Sequence, residues 1–322
     1  FTLHTSGSTG TPKPIELTRT QMSASARLTG KTFGLQPGEA ALCCLNVAYV
    51  AGVMMLVRAL ELGLNLTVTE PAANPLLGLP KTVRFHFYAF VPLQLQTILE
   101  TTPERLPQFN DAKAILLGGA AVSSSLEEKL RVVQAPVFST YGMTETVSHV
   151  AIRRLNGPER SENYHLLRGV EAGTDSRDCL WVSGPMTDFA VVQTNDVVEL
   201  ADAQTFRWLG RYDSIVNSGG VKVVPERVEA ALAPLLRQVG FAGRFFVGGL
   251  PHERFGQALT VVLEGKPFPE NQLNTIRRLA EGALSRFEVP RGWKFLETFP
   301  ETATGKIDKP RVVKELTERN AS

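Results

Sequence analysis

The sequence predicts an α/β fold in which a large layered N-terminal domain with a β-rich subdomain precedes a small α+β C-terminal domain. Its 322 residues exceed one ordinary compact domain, so two domains are expected, over residues 1–210 and 211–322. The first two-thirds of the chain alternate short β-rich runs with helical runs, as layered α/β domains do. From about Asp178 short strands follow one another closely, and Gly210-Arg211 begins a further unit of helices and strands.

The predicted elements of the layered domain follow one another as strand, turn and helix. Apolar, β-rich runs predict strands at Ala41–Leu45, Val83–Phe90, Ala112–Leu117 and Ala135–Thr140. Helices are predicted at about Val53–Leu62, from Val91-Pro92 through Leu99, and from a Ser123 or Ser124 cap through about Val133. Ligands bind where strands of open α/β sheets end in Gly-rich turns, so Gly118-Gly119 and Tyr141–Glu145 mark a candidate site.

The rest of the chain is predicted to contain closely spaced short strands, followed by a unit of helices and strands. Short strands are predicted at Cys179–Ser183, Phe189–Thr194, Val197–Leu200 and Thr205–Leu209. The final unit is predicted to contain a helix at Pro225 to about Leu236, strands at Arg244–Gly248 and Ala258–Leu263, and a helix at Glu270–Arg286. The Gly/Thr-rich loop Thr302–Asp308 and a polar helix after Pro310 follow.

Composition and charge argue against several classes of protein. A net charge of +2 gives no strong attraction to nucleic acid or to an anionic membrane. The apolar run Ala40–Val57 is nearly long enough to span a membrane, but Asn46 and Gly52 interrupt it, so a buried strand followed by a core helix fits better. Three cysteines are too few and too scattered for a disulfide framework, which favours a reducing, cytoplasmic compartment.

One loop near the start carries the strongest chemical signal. Thr5–Lys13 places hydroxyls, glycines and one lysine within nine positions. Glycines let backbone N–H groups approach phosphate oxygens, hydroxyls add donors, and the lysine adds a charge for terminal phosphates. A flexible surface turn is the alternative, and the lysine follows Thr-Pro, so this is not the Walker pattern. The predicted phosphate-binding residues are Thr5, Ser6, Gly7, Ser8, Thr9, Gly10 and Lys13.

With this loop the chain resembles the adenylate-forming enzymes, which include acyl- and aryl-CoA synthetases, luciferases and the adenylation domains of peptide synthetases. The resemblance spans nearly the whole chain, because the remaining motifs of that family follow in order. They stand at Gly118–Ala121, Tyr141–Glu145, Thr194–Asp196, Gly210–Asp213, Ser218–Glu226 and Thr302–Asp308. The resemblance implies an enzyme that uses ATP and Mg²⁺ to activate a carboxylic acid.

The first motifs imply contacts to adenine and to the reacting phosphate. Tyr141 would stack on the base, Thr144 would bond the α-phosphate, and Glu145 would hold Mg²⁺ against phosphate oxygens. For Glu145 the alternative is a carboxylate at a helix N-terminus. The residues implied on the adenine side are Gly118, Gly119, Ala120, Tyr141 and Gly142.

The later motifs imply ribose contacts, a hinge and a channel. Asp196 and Arg211 would bind ribose; Asn195 stands where the family has Gly, in a predicted turn that a left-handed Asn could preserve. A plain turn residue is the alternative for Asp196. Asp213 would be the pivot of a mobile C-terminal domain. The pair Gly219-Gly220 could line a channel for a thiol-bearing arm, with a hairpin turn as the alternative.

Lys306 matches the catalytic lysine of the family's C-terminal loop, while Glu301 replaces a residue that is commonly basic there. A lone loop lysine is usually solvated, so the motif alone supports a catalytic role. Lys306, Lys13 and Mg²⁺ would neutralise the repulsion between a carboxylate and the α-phosphate of ATP. No general base is needed, because a carboxylate is already ionised at pH 7. A thiol, expected to be coenzyme A, would then attack the acyl-adenylate after the small domain swings about Asp213.

The acid is the least determined part of the prediction. The chain resembles the short-form o-succinylbenzoate–CoA ligases of menaquinone biosynthesis in three features. These are the stretch Tyr141–Asn156, the Thr-Asn-Asp motif and a short N-terminal part. That substrate is an aromatic keto-diacid, so a basic group in the pocket is expected. The predicted pocket residues are Ser148, His149 and Arg153, with Arg154 and His86 as further candidates. A capped, solvated helix is the alternative for this stretch.

Two other functions stay open from the sequence. One is a ligase for another acid, or an adenylation domain that loads a carrier protein. The other is a nucleotide-binding protein without catalysis, against which the presence of Lys13, Glu145 and Lys306 argues. The chain begins at Phe1 without an initiator Met, so either the natural start is missing or the part before the loop is short.

Overall fold

The computed structural model describes residues 1–4, 14–252, 256–302 and 307–321. The chain forms two compact units. The first comprises Phe1–Asp175, Leu180–Thr194 and Glu199–Arg207, and the second comprises Ser176–Cys179, Asn195–Val198 and Trp208–Ser322.

Thirteen strands and four α-helices precede residue 212 in the described part of the chain. The strands are β1 (Thr2–His4), β2 (Pro14–Glu16), β3 (Ala40–Cys43), β4 (Asn65–Val68), β5 (Phe87–Phe90), β6 (Ala114–Leu117), β7 (Val137–Gly142), β8 (His149–Arg154), β9 (Tyr164–Leu166), β10 (Glu171–Thr174), β11 (Cys179–Ser183), β12 (Val192–Leu200) and β13 (Thr205–Arg211). The helices are α1 (Arg19–Phe33), α2 (Val50–Leu62), α3 (Pro92–Thr101) and α4 (Ser124–Lys129).

A sheet of eleven described strands, in the order β10-β11-β12-β13-β9-β8-β7-β6-β5-β3-β4, organises this region. Strands β4, β3, β5, β6 and β7 pair in parallel, and β8 turns back antiparallel to β7. Every residue of β5 and β6 is buried, as expected for strands covered on both faces. Because β6 and β7 are parallel neighbours, the turns that follow them meet at the same edge of the sheet.

The fold class predicted from the sequence is confirmed, with local differences. Helix α1 was not predicted, because its buried face consists mainly of small or polar residues and lacks an apolar stripe; it begins at a Thr18–Gln21 capping box. Thr194–Asp196 was predicted as a turn, which is wrong: these residues lie inside the extended strand β12. The helix considered for His149–Arg154 is wrong as well, since these residues form β8.

The second unit has helices on both faces of a small sheet. Its strands are β14 (Val216–Ser218), β15 (Val221–Val223), β16 (Phe245–His252), β17 (Gly256–Glu264) and β18 (Gly292–Leu296); its helices are α5 (Pro225–Gln238), α6 (Glu270–Ala283) and α7 (Lys309–Ala321). Val247 and Val261 pack with α5 and α6, whereas Phe246 and Val262 pack with α7. This alternation follows the two-residue period of a strand.

Within the part of the chain that the structure describes, none of the helices has both the length and the apolar character that crossing a membrane requires. The run Ala40–Val57 instead contains β3 and the first turns of α2.

Candidate active site

The two loops with the strongest sequence signals lie largely outside the described residues. These are residues 5–13, with the whole predicted phosphate loop, and residues 303–306, with Lys306. The residues that flank the first loop are described. Strands β1 and β2 pair antiparallel with His4 opposite Pro14, so the backbone on either side of the loop is held together.

The turn after β6 is closely fitted to β7. A Cβ atom on Gly118 would lie 2.7 Å from Thr140 Oγ1, and that hydroxyl donates to the carbonyl of Leu117 at 3.1 Å. Gly119 has a φ of +80°, which favours glycine, and Ala120 is exposed beside it. The glycines are therefore required by local geometry, and the same turn leaves exposed backbone at the edge of the sheet.

Tyr141 and Gly142 end β7 in a crowded position. The Tyr141 ring contacts Phe206 and Tyr164 edge-on, with centroids 5.2 Å and 5.9 Å away. A Cβ atom on Gly142 would lie 2.2 Å from the carbonyl oxygen of Ser148. Only glycine allows β7 and the start of β8 to approach this closely, so the Tyr-Gly pair fixes where the following residues lie.

A short 3-10 turn, Thr144–Thr146, comes next and presents two predicted site residues. Thr144 is buried, whereas Glu145 is exposed. Among the described residues no ion-pair partner of Glu145 is found. An exposed carboxylate beside a buried hydroxyl suits the contact to phosphate and Mg²⁺ that the motif implies.

Val147 connects this turn to β8 through a strained backbone. Its φ of +64° and ψ of −53° form a γ-turn in which Ser148 N donates to Thr146 O at 2.7 Å. Positive φ is rare for a β-branched residue and costs on the order of 1–3 kcal/mol. The side chain of Val147 is fully buried, which helps to hold the turn, and such strain is commonly found at functional sites.

Beyond this turn lies a buried polar cluster formed by Arg58, Ser148 and His149. Arg58 Nη2 donates to Ser148 Oγ at 2.6 Å, and its Nε donates to Thr29 Oγ1 at 3.2 Å. Arg58 is only 3 % exposed, and no carboxylate of the described residues pairs with it. Removing an unpaired cation from water costs several kcal/mol. An anion bound next to Arg58 would offset this cost, so the cluster is expected to favour anion binding.

The charges in this cluster follow from burial. Burial lowers the pKa of Arg58 to about 10, so the guanidinium remains charged at pH 7. Burial, and then the charge of Arg58, lower the pKa of His149 to about 3, so the imidazole is neutral. A cation and a neutral ring therefore lie side by side at physiological pH.

The two ring nitrogens of His149 differ in their partners. Arginine only donates, so Ser148 Oγ accepts from Arg58, and the same oxygen lies 3.3 Å from His149 Nδ1. The other nitrogen, Nε2, is buried and has no partner among the described residues. A buried polar atom left without a partner costs about 1–3 kcal/mol, which a hydrogen bond to a bound molecule would recover.

Arg153, the basic residue predicted for the pocket, is engaged elsewhere. Its Nη2 lies 2.6 Å from Glu127 Oε1, and Arg160 contacts the other oxygen of Glu127 at 3.2 Å. The guanidinium also lies 5.8 Å from the centroid of the Tyr164 ring. Further candidates are similarly occupied: Arg154 donates to the carbonyl of Asn156, and His86 Nδ1 accepts from the backbone of Ala40.

Arg58 was missed by the sequence analysis, which gave it no functional role. A signal was present. Met54, Met55 and Arg58 are spaced so that they share one helix face, and all three are buried. A lone charge on an otherwise apolar stripe is unusual, because charged side chains are almost never fully buried unless paired.

The second unit brings together three residues predicted for ribose binding and the hinge. Trp208 Nε1 donates to Asp196 Oδ1 at 3.1 Å, and Arg211 Nη1 lies 3.9 Å from the same oxygen. Arg211 also holds both oxygens of Asp213, at 2.8 Å and 2.6 Å. These bonds from Arg211 lower the pKa of Asp213. One guanidinium thus links the two carboxylates.

The Gly219-Gly220 pair forms the turn between β14 and β15. Both glycines have positive φ, +65° and +87°, and the flanking Ser218 and Val221 pair across the hairpin. Positive φ at both central residues is the requirement of a tight two-residue hairpin turn. The hairpin alternative is thus present in the structure, and the predicted channel stays a prediction.

Comparison with known proteins places these features in a family. The sequence pattern of the family described as AMP-binding enzyme matches residues 1–171. The chain is 24% identical over 324 residues to the 2-succinylbenzoate–CoA ligase of Lactococcus lactis. The aligned region covers 95% of this chain and 68% of the relative.

Two solved structures are similar across almost the whole chain. An acyl-CoA synthetase (AMP-forming)/AMP-acid ligase II-like protein from Dyadobacter fermentans is 46% identical, with a TM-score of 0.63, over 98% of this chain and 89% of that one. The o-succinylbenzoate coenzyme A synthetase of Bacillus subtilis, in complex with ATP and magnesium ion, has a TM-score of 0.78 at 22% identity. The similarity covers 96% of this chain and 69% of that one. At that identity it supports the fold alone.

These similarities confirm the sequence-based prediction of an adenylate-forming ligase, as well as its resemblance to the o-succinylbenzoate–CoA ligases. The family pattern covers 171 of 322 residues, which is more than half of the chain. This protein therefore belongs to the AMP-binding enzyme family.

Proposed function

We propose that this enzyme is an ATP- and Mg²⁺-dependent acid–thiol ligase that converts o-succinylbenzoate to its coenzyme A thioester, a step of menaquinone biosynthesis. The resemblance of Tyr141–Asn156 and the relatives named 2-succinylbenzoate–CoA ligase support the reaction. The buried cluster around Arg58 supports a substrate with a second anionic group. The proposed acceptor, coenzyme A, follows from the same names.

The residues proposed to bind ATP come from several of the motifs. Residues Thr5–Lys13 would cradle the phosphates, and Asp196 with Arg211 would hold the ribose. The turn Gly118–Ala120 and the Tyr141-Gly142 pair would lie on the adenine side. Aligned donors near the phosphates and a carboxylate near the ribose hydroxyls are the chemistry that a nucleotide requires.

Glu145 is the residue proposed to hold Mg²⁺. Its exposed carboxylate has no ion-pair partner among the described residues, and Thr144 lies beside it. Mg²⁺ commonly takes one or two protein carboxylates together with substrate phosphates, so a single carboxylate at this position fits. When bound, the ion would neutralise charge on the phosphate oxygens.

The first chemical step joins two anions. A carboxylate oxygen of the acid attacks the α-phosphorus, the bond to pyrophosphate breaks, and an acyl-adenylate remains. Lys306 and Lys13 are proposed to offset the repulsion in the transition state. Because the attacking group is already ionised, no side chain has to remove a proton.

The second step transfers the acyl group to sulfur. The thiol loses its proton to solvent, its sulfur attacks the acyl carbon, the bond from that carbon to the phosphate oxygen breaks, and AMP leaves. The small C-terminal domain, proposed as residues 211–322, would swing about Asp213 so that Lys306 withdraws and Gly219-Gly220 approach the thiol arm. Such motions are common where one enzyme needs two arrangements of its groups.

Arg58 supports the choice of a diacid. A buried guanidinium without a carboxylate partner among the described residues is expected to receive an anion, and His149 Nε2, which likewise has no described partner, would form a hydrogen bond with the same molecule. One carboxylate of o-succinylbenzoate would be activated, and the other would pair with Arg58. Ser148 would hold Arg58 and His149 in place, while a monocarboxylic acid would leave the cation unpaired.

ATP-dependent thioester formation with three acids tests this proposal. The purified protein is given coenzyme A with o-succinylbenzoate, benzoate or a medium-chain fatty acid, and pyrophosphate and thioester are measured. Turnover should be highest with o-succinylbenzoate. No turnover of that acid, with turnover of another, would remove the substrate and leave the reaction class.

A matched variant separates catalysis from background. Lys306→Ala should lower pyrophosphate release by about a hundredfold or more, because it removes a charge from the transition state. If the intact protein released pyrophosphate no faster than Lys306→Ala, a nucleotide-binding protein without catalysis would be the better description. Release that depends on an acid but forms no thioester would point to a carrier-protein acceptor.

A further inference from the structure

The ring of Tyr141 lies against side chains from neighbouring strands of the first unit. Ser139 and Tyr141 are two residues apart on β7, so their side chains lie on the same face of the sheet, and both are buried. Ala151 stands directly opposite Tyr141 on β8. Because alanine is small, it leaves room for larger side chains from beyond β8 to reach the Tyr141 ring.

Two aromatic rings from beyond β8 contact Tyr141. Tyr164 on β9 and Phe206 on β13 are directly opposite each other, and their rings stack with centroids 5.5 Å apart and planes inclined by 17°. The Tyr141 ring stands across both of them, inclined by 62° to Tyr164 and by 78° to Phe206. Edge-to-face packing is a preferred arrangement of aromatic rings, so these contacts restrict rotation of the Tyr141 side chain.

Tyr164 is itself restrained by its neighbours. Its hydroxyl lies within hydrogen-bond distance of Ser139 Oγ, at 2.9 Å, and Phe206, on which its ring stacks, is fully buried. The guanidinium of Arg153 lies 5.8 Å from the centroid of the Tyr164 ring, and Glu127 holds that guanidinium at 2.6 Å. The contacts at both ends of the ring therefore fix Tyr164 against β7 and β8.

A ring that is fixed before a nucleotide arrives binds the base more tightly. An aromatic side chain that is free to rotate loses that freedom when a base stacks on it, and the lost entropy weakens binding. At Tyr141 the folded chain has already restricted the ring. The residues that impose this restriction can therefore affect nucleotide affinity without touching the nucleotide.

We propose that Tyr164 and Phe206 are positioning residues, which act through Tyr141 to orient its ring for stacking on the adenine of ATP. This inference rests on the proposed function, in which Tyr141 lies on the adenine side. Adenine does not react, so stacking holds the ground state and the transition state alike. Loss of positioning should therefore raise the KM for ATP and leave kcat nearly unchanged.

Calorimetric titration with ATP and Mg²⁺, together with steady-state pyrophosphate release, tests this inference on the whole chain. The variants are Tyr164→Leu, Tyr164→Phe and Phe206→Leu, and Tyr141→Leu is the reference. The matched control is Phe85→Leu, which removes a buried ring packed edge-on against Tyr88 at 5.4 Å, in a core cluster that does not include Tyr141. Urea unfolding confirms that each variant is folded.

We expect the Kd for ATP to rise about three- to tenfold in Tyr164→Leu and in Phe206→Leu, in keeping with the contribution of an aromatic pair. It should rise less than about twofold in Phe85→Leu, and also in Tyr164→Phe, which keeps the ring. In every one of these variants kcat should change less than about twofold. Adding Tyr164→Leu to Tyr141→Leu should weaken ATP binding no further, because the effect passes through the Tyr141 ring.

Two results would overturn the inference alone. One is a rise in Kd no larger than in Phe85→Leu when either ring is removed, and the other is a further loss in the double variant. If Tyr141→Leu bound ATP as tightly as the unaltered protein, the proposed adenine contact would fail and the inference with it. A protein that shows all the expected changes in ATP binding but activates no acid would overturn the proposed ligase function and leave the inference standing.

Discussion

Two arginines of the first unit, Arg58 and Arg153, differ in how their charge is compensated. Arg153 has a carboxylate at 2.6 Å, and Glu127 is shared with Arg160. Arg58 is more deeply buried, and its described partners are the hydroxyls of Thr29 and Ser148 and the sulfur of Met55. Both are fixed in place, yet within the described part of the chain only Arg153 of the two has a carboxylate partner.

We propose that this difference separates an arginine with a structural role, Arg153, from one that recognises the substrate, Arg58. A buried pair such as Arg153–Glu127 is satisfied within the chain, so a ligand would have to displace Glu127. At Arg58 an incoming carboxylate would displace no carboxylate of the described residues and would remove a desolvation penalty that the folded chain already bears. The predictions that follow test this distinction, from the largest expected effect to the smallest.

Replacing Arg58 by methionine should affect recognition and leave stability intact. We expect kcat/KM for o-succinylbenzoate to fall about 100-fold or more, because losing one side of a buried charge pair costs about 2–5 kcal/mol. Folding stability should stay the same or rise, because an apolar side chain replaces an unpaired buried cation. Steady-state kinetics and urea unfolding measure the two quantities. An equal loss with benzoate would show that Arg58 does not select the second carboxylate.

Replacing Arg153 by methionine should give the opposite pattern. Glu127 would lose its nearer partner and keep Arg160, so we expect a stability loss of about 2–3 kcal/mol, below the full effect of breaking a buried pair. The ratio of kcat/KM between o-succinylbenzoate and benzoate should change less than about threefold. A large change in that ratio would assign Arg153 to the pocket, as the sequence alone suggested.

Removing the hydroxyl that connects Arg58 and His149 should have an intermediate effect. Ser148→Ala is expected to lower kcat/KM for o-succinylbenzoate by at least about tenfold, the lower end of the about 1.5–3 kcal/mol that a hydrogen bond to a charged group contributes. Ser148→Thr retains the hydroxyl and serves as the matched control. Equal loss in both variants would mean that the hydroxyl does not organise the cluster.

Because of His149, the free energy of unfolding should decrease as the pH is lowered. Its folded pKa is about 3 against a usual value of 6.5, so between these values the unfolded chain binds a proton that the folded chain does not. The free energy of unfolding is therefore unaffected by this proton above about pH 6.5. Between about pH 6.5 and 3 it decreases on acidification, by at most about 1.4 kcal/mol per pH unit. Urea unfolding at several pH values, compared with His149→Asn, isolates this slope. Parallel pH profiles for the two proteins would contradict the assignment.

The sequence anticipated the fold class because alternating β-rich and helical runs report local burial directly. It also anticipated strand β11 and the Ser123 cap of α4, which depend on short-range patterns. Helix α1 was not predicted because its buried face, apart from Met22, consists of Ser, Ala, Thr and Gly residues. The Thr194–Asp196 turn was wrong, since strand pairing overrode the turn preference of Asn and Asp.

The sequence by itself determined the chemistry that the chain can carry, because ordered motifs such as Tyr141–Glu145 place particular functional groups in fixed local arrangements. Only the tertiary structure decided which charges remain available. Arg58 and Ser148 are 90 residues apart and meet through packing, while Glu127 reaches Arg153 from another element. The strained γ-turn at Val147 also depends on burial, because local preference alone disfavours it. Charge compensation and strain are properties of three-dimensional neighbours, so a linear pattern cannot specify them.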